Sequence, residues 1–598
     1  MDHIPFTVQT FLESSNDVSV MAVDFSKAFD TISHKYIIQT LYKKGFGDYI
    51  IRMVGALLYS SKTTIEYGPV NNEFFNKRGA RQGDPASALL FIISLDPLIR
   101  KIHQDASITG FSSLISHPKC LCYADDLTMI YSGGPLRTIK SVTKTLDLFE
   151  KFSVCSGLIL NPEKTEIISQ YHQLIGKSWP HFNYVSSIKL LGSWIGTNNV
   201  EKNLEEIIAR INNGYTYFSS LGLNFWNKIR AWNTYITSRV IHLLRVTPFD
   251  ETIATQVNCI EASFLKLQKK KNLSKRRLHN RLNYGGLSVI DFPLLWKALN
   301  SYWIRLLWTK EQYWNEHLSA YLQINYAKDP YSGLNKVLKQ ISSYSGRMLK
   351  ISAGIKSVVC SIEKSLRWEF PTRDTISDLE IKTYGIDFAG ETESSTFLLN
   401  KMAFLRFKKA FGDYVPCTRP IIPIRLRLFL MDVSSVRKLC ISSTMEPFSE
   451  YLKRRKLNLP VMKSIEAIKN NLLSSSEKWL KYRILTGTLE LNAKLFSGEK
   501  KKCGFCKVKD ETSEHFLFGC EKLAPLYTAT GEILSENFGF YHLKRDDFIA
   551  FYHGKEQHII NAVITKTHHL LYAKRSALDS DISGVLPTVK LHLKTLIF

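Results

Sequence analysis

The chain has 598 residues, 44% of them hydrophobic, a length that exceeds what one hydrophobic core supports, so we expect three or four domains. Its 79 Lys and Arg against 54 Asp and Glu give a net charge of +25, which indicates a polyanionic partner: nucleic acid first, a membrane surface as the competing candidate. No apolar run reaches the roughly 18 to 20 residues that span a bilayer, and residues 1–12 lack a signal-peptide pattern, so we expect a soluble intracellular protein without a membrane partner.

The first predicted elements are a strand and a helix. Residues 19–24 form an apolar run that predicts a strand ending in Asp24. Ser33 can cap a helix over residues 34–44, which Gly45 would end. Strand-like and helix-like patterns alternate over the first 170 residues, which favours an α+β fold: an antiparallel sheet with helices on one face.

The next segments predict a hairpin, a helix and a second hairpin. Residues 62–67 and 73–77 have strand-like patterns around a turn, and residues 86–103 have a helical pattern. Two short apolar runs, residues 120–123 and 127–131, then flank two adjacent carboxylates. We expect these acids to lie at the tip of the second hairpin.

The acids at this tip are Asp125 and Asp126. Because adjacent strand residues point to opposite faces, one can face a site while the other sits at the turn. Asp24, at the end of the first strand, could meet the pair. Oxygen donors of this kind suit two divalent cations about 4 Å apart, an arrangement that serves phosphoryl transfer.

Five short motifs occur in order along residues 19–196. They are Asp24–Asp30 (DFSKAFD), Arg78–Pro85 (RGARQGDP), Tyr123–Asp126 (YADD), Gly157–Thr165 (GLILNPEKT) and Leu190–Gly192 (LLG). The set resembles the successive palm motifs of reverse transcriptases, specifically those of non-LTR (LINE-like) retrotransposons. The resemblance implies a right-hand polymerase palm and an RNA-directed DNA polymerase (nucleotidyltransferase) activity.

The same resemblance implies roles for the acids. Asp24 and Asp125 would bridge two catalytic Mg²⁺ ions, and the peptide carbonyl of Phe25 would supply a further oxygen. Asp126 is assigned to the same metal site, although in this fold the second acid of the pair often lies farther from the ions.

Nucleotide contacts are implied at four further positions besides Phe25. Phe29 matches a ring that favours deoxynucleotides by clashing with a 2′-hydroxyl; alternatively it only packs in the palm core. Gln82 and Gly83 resemble residues that approach the incoming nucleotide, and Arg81 could touch a phosphate or simply be solvated. Lys164 matches a lysine that could protonate the departing pyrophosphate, the alternative being an ordinary surface lysine.

Beyond residue 199 the pattern turns helical. Apolar-periodic segments at residues 204–221 and 225–244 suit a polymerase thumb. Basic runs within residues 269–277 and at 453–456 would contact a nucleic-acid backbone, although each alone could be a solvated helix face or a nuclear-import signal. The predicted domains are a palm with only a remnant of the fingers (1–198), a helical thumb (199–295), a helical connection region (296–470) and a C-terminal zinc-binding domain (471–598).

The last predicted module is a metal site. Cys503, Cys506, His515 and Cys520 have the spacing C-x2-C-x8-H-x4-C, which fits a closed tetrahedral structural Zn²⁺ site with no open catalytic position. The alternative is unrelated buried cysteines and a core histidine. The segment also resembles the zinc-binding segment at the C-terminus of many LINE-like reverse transcriptases, and the lysines at 500–502 would favour RNA or target-DNA binding.

Two features depart from the family pattern. Only 23 residues precede Asp24, where family members carry a longer fingers segment, so we expect an N-terminally incomplete sequence, either a fragment or a degenerate copy. After Cys520 we find neither a restriction-type nuclease pattern nor the separated acids of an RNase H. An endonuclease would therefore lie upstream.

These observations lead to one hypothesis and its rivals. The chain would copy an RNA template onto a DNA primer or nicked target DNA, using deoxynucleoside triphosphates, with the nucleus as the expected location. One rival is a catalytically inactive nucleic-acid-binding remnant. Others are an intron-encoded maturase, which the zinc spacing disfavours, and an RNA-dependent RNA polymerase, which usually carries Gly-Asp-Asp in place of Ala124-Asp125-Asp126.

Overall fold

The computed structural model describes much of the N-terminal half and most of the C-terminal 130 residues. The described residues are 2–15, 17–60, 62–68, 70–81, 83–111, 117–267, 275–280, 282, 286–307, 396–398, 421–423, 468–539, 544, 547–548, 552, 554–575 and 581–597. Gln82, the basic residues at 269–271 and 453–456, and most of the predicted connection region lie outside these residues.

The chain forms two compact units. Unit 1 comprises Met1–Ile207, Ile241–Phe249 and Trp296–Val436; unit 2 comprises Ile208–Val240, Asp250–Leu295 and Arg437–Phe598. The domain boundaries expected after residues 198, 295 and 470 stay predictions.

Unit 1 holds all of the strands in the described residues. They are β1 (Ser19–Val23), β2 (Lys62–Tyr67), β3 (Val70–Phe75), β4 (Cys120–Tyr123), β5 (Asp126–Tyr131), β6 (Glu166–Ile168), β7 (Asn183–Tyr184), β8 (Ser187–Leu190), β9 (Ser193–Gly196), β10 (Thr396–Leu398) and β11 (Ile421–Pro423). Five of them form one sheet in the order β4-β5-β1-β6-β7, antiparallel except for the parallel pair β6–β7. The other six form three two-stranded hairpins or ribbons.

The α-helices of the described residues lie within residues 3–307 and 475–597. They are α1 (His3–Ser14), α2 (Ala28–Thr31), α3 (His34–Lys43), α4 (Asp48–Tyr59), α5 (Ser87–Gln104), α6 (Pro135–Ser156), α7 (His172–Ser178), α8 (Asn199–Ser220), α9 (Phe225–Ala231), α10 (Ile241–Val246), α11 (Glu251–Phe264), α12 (Lys275–His279), α13 (Phe292–Leu307), α14 (Ser475–Leu485), α15 (Asn492–Leu495), α16 (Ala524–Phe538), α17 (Gln557–Lys574) and α18 (Val585–Ile597).

The central sheet has two differently covered faces because its strands alternate. Met21 and Val23 of β1 pack with Leu127 of β5 in a core that also contains Leu41 of α3 and Phe149 of α6. Val20 and Ile130 point the other way and pack in a second core, together with Phe11, Ile188 and Ile195. The sheet is therefore a layer with helices α3, α5 and α6 on one side and the β8–β9 hairpin on the other.

The sequence patterns of unit 1 are largely confirmed. Ser33 caps α3, its hydroxyl accepting a hydrogen bond from the Tyr36 amide at 3.4 Å, and the chain leaves the helix through Gly45 at φ +80°. The helix expected at residues 86–103 spans Ser87–Gln104. The first hairpin differs, because its second strand begins at Val70 and not at residue 73. A mixed α/β architecture with a mainly antiparallel sheet is thus confirmed, and it is consistent with a polymerase palm.

Unit 2 is helical in its described residues, but one predicted helix is interrupted. The segment expected to be helical over 225–244 consists of α9, a π-helix (Trp232–Ile236), a 3₁₀ turn (Thr237–Val240) and α10, whose residues belong to unit 1. Trp232 and Ile236 are buried, so the irregular turn serves packing, which an apolar period alone does not reveal.

The C-terminal part of unit 2 surrounds a single core. Residues of α14, α16, α17 and α18 pack together with Cys503, Phe516 and Cys520. Ser474 caps α14 in a capping box with Glu477, which fixes where this helix begins. Within the described residues, no helix is both long and apolar enough to cross a membrane.

Candidate active site and candidate metal centre

The second hairpin presents its acids on a tight turn. Tyr123 pairs with Asp126, so Ala124 and Asp125 form a two-residue connection between β4 and β5. Ala124 has φ +54°, the left-handed conformation that such turns require and that is unusual for a residue with a side chain. The structure therefore places Asp125 at the tip, as the sequence predicted.

The sheet brings the third acid to the same end. Val23 lies opposite Leu127 in the antiparallel β1–β5 pair, so one further step along both strands aligns Asp24 with Asp126. Packing around the carboxyl group, followed by repulsion from Asp125 and then Asp24, raises the pKa of Asp126. Within the described residues, none of the three acids forms an ion pair with a basic side chain.

The segment Gly157–Thr165 runs alongside Asp24. The Asn161 amide donates to the Asp24 carbonyl at 2.8 Å, and the Ser26 amide donates to the Ile159 carbonyl at 2.9 Å. The Asp24 amide in turn donates to the Thr165 hydroxyl at 3.3 Å. The segment Gly157–Thr165 therefore holds the backbone around Asp24 in place through these hydrogen bonds.

Two glycines allow the other motifs to approach the loop after Asp24. The Ala80 amide donates to the Phe29 carbonyl at 2.7 Å, and a Cβ at Gly79 would lie 2.8 Å from the Asp30 carbonyl oxygen. A Cβ at Gly157 would similarly lie 2.7 Å from the Thr31 carbonyl oxygen. Both glycines lie within the motifs named above, but the sequence analysis did not assign them this close approach.

The residues expected to contact the nucleotide differ in their surroundings. Phe29 is half-buried and stacks on Phe91 with ring centroids 4.6 Å apart. Arg81 donates to the Lys62 carbonyl at 3.0 Å, which ties the first hairpin to the motif. Gly83 has φ +90° with open space around it, and Lys164 is exposed. Gln82 lies outside the described residues.

The fifth motif forms the turn of the β8–β9 hairpin. Leu191 and Gly192 have φ +48° and +84°, which closes a two-residue connection between Leu190 and Ser193. The Gly196 amide donates to the Gln9 side chain at 2.7 Å and so ties this hairpin to α1. The motif thus lies on the sheet face opposite the covering helices.

A second constellation lies in unit 2. The Cys503 and Cys520 sulfurs are 3.9 Å apart, and the Cys506 sulfur is 3.3 Å from His515 Nε2. The ligand atoms of these four residues all lie within 4.8 Å of one another. Tetrahedral zinc with bonds of about 2.0 to 2.3 Å would separate its ligand atoms by about 3.5 to 3.8 Å, so the four groups fit that ion.

Local structure explains how these ligands meet. Cys503 and Cys506 lie on a knuckle closed by the Lys507 amide, which donates to the Cys503 carbonyl at 2.9 Å. His515 begins a π-helix that ends at Gly519, directly before Cys520. Because a π-helix bonds residue i to i+5, it brings positions 515 and 520 one turn apart on the same side.

The pKa shifts of these four residues agree in part with metal binding. Burial lowers the pKa of His515, which favours the neutral imidazole that binds metal. Burial alone raises the pKa of Cys506, but amides of Lys509 and Val508 outweigh it and the net pKa is lowered. Burial raises the pKa of Cys503 to about 12, so this thiol would ionise only with a cation present.

The two constellations differ in compactness. Within the described residues, the Cys–His set is the one group of three or more His, Cys, Asp or Glu side chains whose ligand atoms all approach within 4.8 Å. Asp24, Asp125 and Asp126 do not form a second set within this distance. Their oxygen donors and negative charge nevertheless fit hard divalent cations.

The five-stranded sheet, the hairpin turn and the packed motifs of residues 19–196 are consistent with a polymerase palm. Residues 4–195 match the family Reverse transcriptase (RNA-dependent DNA polymerase). This part of the chain is thus a reverse transcriptase domain, of the type found in non-LTR retrotransposons.

Similar proteins support this assignment over a limited length. The chain is 31% identical over 155 residues to a Retrovirus-related Pol polyprotein from type-1 retrotransposable element R2 of Popillia japonica, covering 25% of this chain and 24% of that protein. It is 32% identical over 148 residues to the polyprotein from type-2 retrotransposable element R2DM of Drosophila melanogaster, covering 24% and 13%. The chain therefore spans about a quarter or less of the length of the curated relatives it matches.

Proposed function

We propose that the chain is an RNA-directed DNA polymerase of a non-LTR retrotransposon. The observation that carries this proposal is the position of Asp24, Asp125 and Asp126 at one end of the central sheet, with two further motif segments, Arg78–Pro85 and Gly157–Thr165, hydrogen-bonded to residues 24–32. The substrates would be an RNA template, a DNA primer or nicked target DNA, and deoxynucleoside triphosphates. Copying into genomic DNA would place the protein in the nucleus.

The three acids are the proposed holders of two Mg²⁺ ions. Asp24, Asp125 and the Phe25 carbonyl would bind them, with Asp126 in the same site. When bound, such ions polarise the attacking hydroxyl and stabilise the leaving phosphate. The pKa of Asp126, raised first by burial and then by repulsion from Asp125 and Asp24, supports this assignment because it reflects the closeness of the three carboxylates.

Other residues would orient the nucleotide. Phe29, held by its stack on Phe91, is proposed to lie under the sugar and to disfavour a 2′-hydroxyl. Gln82 and Gly83 would lie against the nucleotide, and Gly83 leaves open space for it. Lys164 Nζ would give its proton to the departing pyrophosphate. Arg81 already anchors the first hairpin, so its proposed phosphate contact would be secondary.

The helices after residue 199 are the proposed thumb, and the C-terminal module is a proposed structural zinc site. Four ligands, Cys503, Cys506, His515 and Cys520, leave no open position, so this metal would hold the fold and not catalyse. The lysines at 500–502 beside it would contact a phosphate backbone of RNA or target DNA. Binding should therefore weaken steeply with salt.

Primer extension on an RNA template tests the proposal. Wild-type chain with Mg²⁺ and deoxynucleotides should extend the primer, and Asp125→Asn should reduce extension by about 10³-fold or more. Asp30→Asn, an exposed acid in the same motif region, is the matched control and should retain activity. Salt-sensitive RNA binding without any extension by the wild type would instead identify an inactive remnant.

A further inference from the structure

Glu511 is a fully buried carboxylate beside the proposed zinc site. Its Oε2 accepts hydrogen bonds from the Asn492 amide at 2.9 Å and from Arg575 Nη1 at 3.3 Å. Its Oε1 accepts from the Gly504 amide at 3.4 Å. A buried carboxylate is costly unless it is paired in this way, so removing one partner would leave an uncompensated charge.

Arg575 is held as firmly as Glu511. Only 12% of its side chain is exposed, and its guanidinium lies 4.3 Å from the centre of the Tyr572 ring. Its carbonyl oxygen approaches Gly504 so closely that a Cβ there would lie 2.4 Å from it. The C-terminal end of α17 is therefore packed directly against the first metal-binding knuckle.

The Glu511 carboxylate joins three separate parts of the site. Gly504 lies between the two knuckle cysteines, and Glu511 itself precedes His515 by four positions. The Glu511 amide donates to the Lys501 carbonyl at 2.8 Å, which fixes the strand-like segment on which the carboxylate is carried. Through Arg575 the same group reaches α17. One ion pair thus connects the knuckle, the histidine segment and the last turn of a long helix.

We propose that Glu511 and Arg575 are positioning residues for the metal centre. The pair holds the Cys503–Cys506 knuckle in its binding geometry, so the affinity for zinc depends on two side chains that do not ligate it. Interactions outside the ligand shell commonly change metal affinity by about 10- to 100-fold. This inference rests on the proposed zinc site and adds a determinant of its affinity.

Zinc affinity of the full-length chain tests the inference. Glu511→Gln and Arg575→Met are each expected to raise the zinc dissociation constant by about 10- to 100-fold, measured by competition with a chromophoric chelator. The loss of zinc-binding free energy in the double variant should be smaller than the sum of the losses in the two single variants. The reason is that neither side chain is then left buried and unpaired. The visible spectrum of the cobalt-loaded protein should change in the single variants.

Glu521→Gln is the matched control. Glu521 follows Cys520 directly, but its side chain is 84% exposed and pairs with Lys509, so its loss should change the dissociation constant by less than about twofold. If Glu511→Gln folds poorly, Arg575→Lys can be tested instead. Lysine keeps the positive charge but lacks the planar guanidinium that can form two parallel hydrogen bonds, so this variant should still raise the zinc dissociation constant several-fold.

The outcomes separate the two proposals. Wild-type chain that binds no zinc would overturn both the zinc site and the positioning pair. Wild-type chain that binds zinc with the same affinity as Glu511→Gln and Arg575→Lys would overturn the pair alone, even if the variants melt at lower temperature. A loss of similar size in Glu521→Gln would show a general charge effect and would also overturn it.

Discussion

Asp24 and Asp126 each lie one residue beyond the Val23–Leu127 pair, at the same end of strands β1 and β5. The register therefore joins the first acid to the second member of the hairpin pair, while Asp125 occupies the turn. Each carboxylate adds to the repulsion on its neighbours, which raises the pKa of Asp126 after the effect of burial. Repulsion from Asp125 and Asp24 therefore opposes ionisation of Asp126 in the folded protein.

Asp126→Asn is accordingly expected to stabilise the cation-free protein. Because the folded-state pKa of Asp126 is raised, the unfolded chain loses this proton first, and stability falls as pH rises from about 3.8 through the folded pKa. Because asparagine carries no charge, Asp126→Asn removes this loss of stability at pH 7. We expect the melting temperature in EDTA to rise by about 1–3 °C, a small value because solvent screens the site.

Asp30→Asn serves as the control for this measurement, since the pKa of Asp126 is raised by Asp125 and Asp24 and not by Asp30. Mg²⁺ should narrow the difference between Asp126→Asn and wild type, because only the wild type gains from neutralisation. A lower melting temperature for Asp126→Asn in EDTA would contradict the repulsion described above.

Phe29→Val should relax discrimination against ribonucleotides. The Phe29 ring is held by its stack on Phe91, so truncation would open space at a fixed position. We expect the ratio of ribonucleotide to deoxynucleotide incorporation to rise by about tenfold or more, a size consistent with the loss of 1–3 kcal/mol of steric discrimination. Phe91→Leu keeps Phe29 and should change the ratio less; an unchanged ratio in Phe29→Val would assign the ring to packing alone.

Removal of zinc should destabilise unit 2. Burial raises the pKa of Cys503, so without a cation this buried thiol stays neutral and has lost its proposed bonding partner. A strong chelator or Cys503→Ser should lower the melting temperature by several degrees and abolish one equivalent of bound zinc. Cys259→Ser, at an exposed cysteine of α11, is the control and should retain the metal.

The sequence was sufficient where a single local pattern determines a structure. The apolar strand before Asp24, the hairpin around Asp125 and the cap at Ser33 were all predictable, because periodicity and turn chemistry are encoded in neighbouring residues. The close approach of Gly79 and Gly157 to the loop after Asp24 depends on tertiary packing, which no local pattern records. The bonding of Glu511 to Arg575, 64 positions away, was invisible for the same reason.

Lys481 is expected to make stability depend on pH. It is fully buried on α14, its Nζ has no hydrogen-bond partner among the described residues, and burial lowers its pKa to about 7. Between about pH 7 and 10.5 the unfolded chain keeps a proton that the folded chain has released, so the free energy of unfolding rises with pH across that interval. The change should be on the order of a few kcal/mol.

Lys481→Met would remove this slope and raise the melting temperature near pH 7. The titratable group recorded beside the lysine is His568, whose pKa is lowered by burial and then by Lys481. Lys590→Met, at an exposed position of α18, should leave the slope unchanged. A slope that persists in Lys481→Met would assign the pH dependence to other groups.

Gly504→Ala should destabilise unit 2, in contrast to Gly531→Ala. A Cβ at position 504 would lie 2.4 Å from the Arg575 carbonyl oxygen, which is backbone and cannot swing away, whereas a Cβ at Gly531 meets nothing within 4 Å. Gly531 lies inside α16, where alanine should add about 0.5–1 kcal/mol through its helix propensity. Gly504→Ala should cost about 1–3 kcal/mol and displace the knuckle. Chemical denaturation of both variants with zinc present gives the comparison, and equal stabilities would show that α17 is not packed on the knuckle as described.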